Sequence, residues 1–239
     1  MTFAQRLFPN QEEGSRYLTS RDSDHFSREL YDFIVATTGI VDPVKRFELK
    51  MSETHSHFQM STSPVQSHIL KFLVSLAQPK NILEIGTFIG STTLELASAA
   101  PAKTRIVTIE KFAEFAKLAE ANFKHNGVED KISLLIGDAF EMIPTLKGKL
   151  FDFIYLDGNK ERYWECFVLL EPLIAPGALV AVDDVFFNGD VLNKECKTEK
   201  GAGVKRFMEN IKNREGYTKT IFPIGNGLLL LSKSATGAA

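Results

Sequence analysis

The sequence predicts an α/β fold: a mostly parallel sheet of seven strands, helices on both faces, and an antiparallel hairpin at the C-terminal end. Two observations carry this reading. Short apolar runs alternate with amphipathic stretches from residue 64 onward, the pattern of βαβ units whose strands are buried from both sides. The tail then breaks the alternation, because YTKTIFP and LLLLSKS are strand-like runs joined by IGNG, a glycine-containing turn.

Residues 24–37 (DHFSRELYDFIVAT) carry Phe26, Leu30, Phe33 and Ile34 at helical spacing, and a second helix over 43–56 opens on Pro43, a residue suited to a first turn. No strand pattern precedes Pro64, so residues 1–60 are expected to form a helical extension, a lid or subunit contact, ahead of one domain over 61–239. VQSHILKFLVSLA reads as a helix and NILEIG as a short buried strand ending at Gly86. Helix 91–100, strand 105–109, helix 111–126 closing at Gly127, strand 132–136 and a short helix near 138–147 continue the pattern. Strand 150–156 follows, then helix 160–174 stopped by Pro176-Gly177, strand 178–182 and helix 201–214.

At 239 residues the chain can bury the core of one large α/β domain. A net charge of −2 gives no whole-chain pull toward nucleic acid or anionic membrane. Cys166 and Cys196 are too few for a disulfide framework and lack metal-site spacing, which favours a reducing compartment, so the expected location is cytoplasmic. No stretch approaches the roughly 20 apolar residues of a membrane span, and the first residues lack a signal-peptide profile.

Parallel strands deliver their C-terminal ends to one edge of a sheet. LEIGTFIGSTTLELA sets Gly86 and Gly90 between a strand and a helix, where a ligand can approach the backbone and the helix N-terminus closely. The Gly-x-Gly-x-x-Gly fingerprint of dinucleotide-binding folds is absent. Glu110 ends the next strand, where an acid can accept from two ribose hydroxyls, and Asp138 ends the third, where it could border an adenine amino group. Capping of the following helices is the competing role for both.

FDFIYLDGNK runs from an apolar strand into Asp157 and Lys160, and the fifth strand ends in Asp183-Asp184. If these strands are neighbours they stand about 4.8 Å apart, and three carboxylates converge. A hard divalent cation would resolve their repulsion, Mg²⁺ first, with Mn²⁺ or Ca²⁺ as alternatives, and Thr62 or Ser63 would add a hydroxyl. Helix capping and pairing with lysines are the alternative uses of these acids. Lys160 stands at a helix start, where a cation is misplaced and burial favours the neutral amine, so it reads as a base.

In their order, MSTS, LEIGTFIGSTT, FDFIYLDGNKERY, GALVAVDDVFFNGDV and PIGNGLLLL resemble the class I S-adenosylmethionine-dependent methyltransferases, with their Rossmann-like sheet, over roughly residues 55–233. The resemblance is specifically to the cation-dependent O-methyltransferases typified by the caffeoyl-CoA and catechol enzymes. It implies that Glu84, Glu110 and Asp138 hold the donor S-adenosylmethionine, with Gly86, Phe88, Gly90 and Thr92 along the loop and Thr62, Ala139 and Asp157 beside it. It further implies Asp157, Asp183 and Asp184 as metal ligands, Lys160 as base beside Asp157, a phenolic or catechol acceptor, and a homodimer. The chain departs from the family at Asp184, where Asn is usual, at Asn159, which replaces an acid, at Gln66, and in the loop 186–200.

The expected chemistry is in-line transfer of a methyl group from a sulfonium to a hydroxyl, the cation orienting and acidifying the acceptor while Lys160 takes its proton. One rival keeps the fold and changes the acceptor to hydroxylated uridine in tRNA, with Lys194, Lys197, Lys200, Lys205 and Arg206 meeting phosphates; a solvated face is the ordinary use of such charges. A nicotinamide-dependent oxidoreductase is the other rival, and the missing fingerprint and terminal hairpin speak against it.

Overall fold

The computed structural model describes residues 24–50 and 62–235, with side chains from Glu29 onward. Met60 and Ser61 of the MSTS motif, residues 51–56 of the second predicted helix, and the Phe26 side chain lie outside the described residues. Contacts divide the chain into two compact units, Met1–Val41 and Asp42–Ala239. In the first, helix α1 spans Asp24–Thr38, and Thr38 Oγ1 donates back to the Ile34 carbonyl at 2.6 Å.

The second unit carries helices α2 (Pro43–Arg46), α3 (Pro64–Ala77), α4 (Ser91–Ala99), α5 (Ala113–His125), α6 (Ala139–Thr145), α7 (Tyr163–Leu170) and α8 (Glu199–Lys212). Its strands are β1 (Asn81–Ile85), β2 (Arg105–Glu110), β3 (Ile132–Ile136), β4 (Phe151–Leu156), β5 (Ile174–Val182), β6 (Tyr217–Phe222) and β7 (Leu228–Lys233). They form one sheet in the order β3-β2-β1-β4-β5-β7-β6. The first five pair in parallel and β7 runs antiparallel to β5 and β6, as the broken alternation of the tail predicts.

Local chemistry sets several boundaries. Ser63 accepts from Gln66 N ahead of Pro64, which opens α3. The second predicted helix is a single turn here. After Arg46 the chain leaves helical geometry at Glu48 (φ 48°), and Leu49 enters a cluster with Ile89, Leu94, Ala119 and Phe123. The helix predicted over 160–174 is also shorter: a 3₁₀ turn over Lys160–Arg162, then α7, then a second 3₁₀ turn over Glu171–Leu173. β5 begins at Ile174, before Pro176-Gly177 rather than after it. Pro176 lacks an N–H, and the β4–β5 pairing slips near this end of the strand, so the proline is accommodated.

Alternation across the strands sends Leu83, Ile85, Val107, Ile154 and Val180 to one face, with α7 and α8, and Ile82, Phe153 and Tyr155 to the other, with α3 and α4. Register then builds the working edge. Ile85 pairs with Ile109 and with Leu156, and Leu156 with Val182. One residue further on, Gly86 N bonds Ile109 O (3.0 Å), Asp157 N bonds Ile85 O (2.9 Å) and Asp183 N bonds Leu156 O (3.0 Å). Gly86, Asp157 and Asp183 therefore leave the sheet side by side. Strand order reverses between β1 and β4, the place where open α/β sheets form a ligand crevice. Among the described residues no helix is long and apolar enough to cross a membrane.

Candidate active site

Gly86 has φ +99°, and a Cβ there would stand 2.5 Å from the Asp157 carbonyl oxygen, so only glycine lets the β1 turn lie against the end of β4. Phe88 follows in the left-handed region (φ 50°), held there by its N–H donating to Glu110 Oε2 at 2.7 Å. The other Glu110 oxygen accepts from Phe112 N at 2.8 Å, at the start of α5. Glu110 thus braces the loop and the turn into α5 at once, with one lone pair left on each oxygen. Asp138 caps α6 through Phe140 N (3.0 Å) and meets Lys111 Nζ at 2.9 Å; these two contacts hold its carboxyl below the usual range. Ala139 is the first residue of that helix.

Glu84 is fully buried on β1. Its Oε2 accepts from Thr93 Oγ1 at 2.5 Å and Thr108 Oγ1 at 2.6 Å, while Oε1 has no hydrogen-bond partner among the described residues. Burial pushes this carboxyl up to about 8, against the opposing pull of the two threonines. A buried oxygen left unanswered two residues before the Gly86 turn is what a ligand's hydrogen-bond donor would complete, so the residues fit the methyl donor. Gln66 is buried in the first turn of α3.

A second set of hydroxyls crosses from this loop to β5. Thr92 Oγ1 donates to Thr62 Oγ1 (3.1 Å), Thr62 Oγ1 lies 3.2 Å from Tyr155 OH, and Tyr155 OH donates to Asp183 Oδ2 (2.6 Å). The other Asp183 oxygen accepts from Asp184 N at 2.6 Å. Burial and the adjoining Asp184 push Asp183 up, and Asp184 is itself in the left-handed region (φ 57°).

Asp157, Asp183, Asp184 and Lys160 do meet at this edge. Lys160 Nζ donates to Asp157 Oδ1 and lies 3.0 Å from Asp184 Oδ2, spanning the two acids. Burial pushes Asp157 up to about 7, with Lys160 opposing and Asp183 and Asp184 reinforcing. Three carboxylates against one ammonium leave surplus negative charge at a half-buried edge, where only Asp183 is fully enclosed, and their hard oxygens suit a divalent cation. Among the described residues, however, no group of three or more His, Cys, Asp or Glu is gathered tightly enough to hold one. In this arrangement the cation between Asp157 and Asp184 is the lysine.

That pairing corrects the expectation of a neutral lysine. Burial does act to lower Lys160, but Tyr163, Asp157 and Asp184 outweigh it and hold the ammonium well above its ordinary value. Nor does it open a long helix, since it starts the 3₁₀ turn that Asn159 caps through Glu161 N. A Cβ at Gly203 of α8 would stand 2.5 Å from the Lys160 and Glu161 carbonyl oxygens, so α8 packs directly on this turn.

The loop ahead of α8 is closed by Asp190, which accepts from Asn193 Nδ2 (2.9 Å), Lys197 N (2.8 Å), Thr198 N (3.0 Å) and Thr198 Oγ1 (2.8 Å). Two of the five basic residues considered for RNA are engaged internally: Lys205 on the Asn193 and Lys194 carbonyls, Arg206 on Glu165 and the Glu161 carbonyl. Sequence reasoning missed Tyr155, Thr93 and Thr108. The available signal was a tyrosine inside an otherwise apolar buried strand, whose hydroxyl must find a partner.

A family model described as O-methyltransferase matches residues 42–234. A catechol O-methyltransferase of Mycobacterium tuberculosis is 32% identical over 179 residues, 75% of this chain and 81% of that protein. Another of Niastella koreensis is 34% identical over 151 residues, 62% and 68% of the two chains. In structure, the chain is similar to the O-methyltransferase TomG of Streptomyces achromogenes, involved in tomaymycin synthesis and crystallised in complex with SAM, with a TM-score of 0.71, 28% identity and coverage of 98% and 100%.

Proposed function

This chain belongs to the O-methyltransferase family and is an S-adenosylmethionine-dependent O-methyltransferase; from that premise we propose that it methylates one hydroxyl of a vicinal-diol or catechol-type small molecule with the help of a divalent cation. The observation that carries the reading is the meeting of Asp157, Asp183, Asp184 and Lys160 beside the Gly86 turn. The names of the relatives support the acceptor class.

In this reading Glu84, Glu110 and Asp138 hold the donor, with Gly86, Phe88, Gly90 and Thr92 along the loop and Thr62, Ala139 and Asp157 beside it. Asp157, Asp183 and Asp184 hold the cation, Mg²⁺ in first place. When bound, the cation would supply orientation and acidification of the acceptor hydroxyl. Lys160 takes the proton. It is held charged by Asp157 and Asp184, so it becomes a base only when those carboxylates are engaged elsewhere and burial is the influence left on it. Methyl transfer is an in-line displacement, so the rest of the task is alignment.

The test incubates the protein and a labelled methyl donor with catechols, acyl-CoA phenolics and undermodified tRNA, with and without EDTA. Methylation of a catechol-type hydroxyl, abolished by chelator and restored by Mg²⁺, is expected. Full activity in EDTA, or methylation of tRNA alone, overturns the proposal.

A further inference from the structure

Tyr155 is buried in β4 with its ring among Leu70, Val74 and Phe153, and a phenylalanine would fill that place. Its hydroxyl is therefore not there for packing. A Tyr hydroxyl has one proton, and at 2.6 Å that proton goes to Asp183 Oδ2, since a carboxylate offers none in return. The contact with Thr62 at 3.2 Å must then run the other way, with Thr62 donating. Thr62 has spent its own proton, so it accepts from Thr92 at 3.1 Å. Every proton in the series Thr92, Thr62, Tyr155, Asp183 points the same way, toward the carboxylate.

One end of the series is the first turn of α4, after the Gly86–Gly90 loop; the other is the acid at the tip of β5. We infer that Tyr155 is a positioning residue for methyl transfer: through this one-way series of hydroxyls it links the donor-binding loop to Asp183, so that filling the donor site is felt at the acceptor side. Hydrogen bonds in series polarise one another, so a ligand group that donates to Thr92 Oγ1 joins the series at its head and is bonded more strongly while the series is intact. The inference rests on the assignment of Thr62 and Thr92 to the donor and of Asp183 to the acceptor side.

The test is calorimetric titration of S-adenosylhomocysteine in EDTA, which removes the cation from the comparison, with melting curves as a check on folding. Tyr155→Phe keeps the packing and cuts the series; affinity is expected to fall about three- to tenfold, what one hydrogen bond is worth. Asp183→Asn, made at the far end, is expected to weaken binding in the same direction but less. It should have no further effect in the Tyr155→Phe background, nor in Thr62→Val, which leaves the Tyr155–Asp183 contact in place. Binding within twofold of wild type for Tyr155→Phe, or an Asp183→Asn effect undiminished in either background, overturns the inference. Failure of the cation reading is separate: it would appear as absence of Mn²⁺ binding to the wild-type protein, with these affinities unaffected.

Discussion

The Lys160 ammonium lies 3.0 Å from Asp184 Oδ2 while also bonding Asp157 Oδ1, so one lysine bridges acids from two neighbouring strand ends. On the proposed reading, a divalent cation held by Asp157 and Asp184 would have to take these carboxylates from it, and Lys160 would be the base. Lys160→Met is therefore expected to lower kcat about 10²–10⁴-fold, the usual worth of a positioned general base. The same change should tighten Mn²⁺ binding, followed by electron paramagnetic resonance, and leave affinity for S-adenosylhomocysteine within about threefold. Weaker Mn²⁺ binding would show that the ammonium does not compete for these acids.

Gly86 and Asp157 make backbone contact that any side chain would break. Gly86→Ala should cost about 1–3 kcal/mol of stability, because an alanine at φ +99° is strained before its methyl meets the Asp157 carbonyl. Donor affinity should fall with it. Thermal melting and calorimetry check the two effects separately.

Stability should depend on pH in a defined sense. Glu84, pushed up to about 8, binds its proton more tightly folded than unfolded, so its contribution is full below about pH 4.5 and is lost as pH rises through 8; Asp157, at about 7, acts in the same direction. Asp190 is the opposite case. The Lys197 N–H, with Asn193 and Thr198, lowers it to about 2, so its contribution is present above about pH 4 and lost as pH falls through 2. The ligand-free protein should melt highest near about pH 4, where Asp190 is ionised and Glu84 is still protonated folded or unfolded, and Glu84→Gln should flatten the decline above it. A melting temperature that keeps rising to pH 9 would contradict the assignment.

Glu95 is buried on α4 and held by Arg46 Nη1 at 3.0 and 3.2 Å, with Lys71 at 4.0 Å. Arg46→Met leaves that carboxylate with the distant lysine and a long contact from Ser98 Oγ at 3.5 Å, and should destabilise by about 1–3 kcal/mol. A melting temperature a few degrees lower is the readout, and the Arg46→Met, Glu95→Gln double variant should recover part of the loss.

The sheet was legible because parallel strands are apolar throughout and end abruptly: NILEI, RIVTI and FDFIYL locate β1, β2 and β4, and the residue after each locates the edge. That Asp157, Asp183, Asp184 and Lys160 come together follows from the β4–β5 register, which the order of motifs anticipates. What could not be read was how they meet. The charge on Lys160 depends on Asp184 reaching across from the next strand, and no local pattern encodes that approach. The partners of Tyr155 lie 28 and 93 residues away along the chain, and those of Glu84 lie 9 and 24 away. The early start of β5 was hidden by Pro176-Gly177, which ordinarily punctuates a helix.

Asp190 gathers Asn193, Lys197 and Thr198 onto a single carboxylate, so the segment between β5 and α8 is tied to itself as well as to its neighbours. A loop with its own internal knot can exchange most of its remaining residues without loosening the strands that feed it. Exchanging that stretch as one cassette, with the aspartate included, should therefore leave β5, α8 and the melting temperature nearly unchanged, whereas a cassette cut so as to lose the aspartate should not.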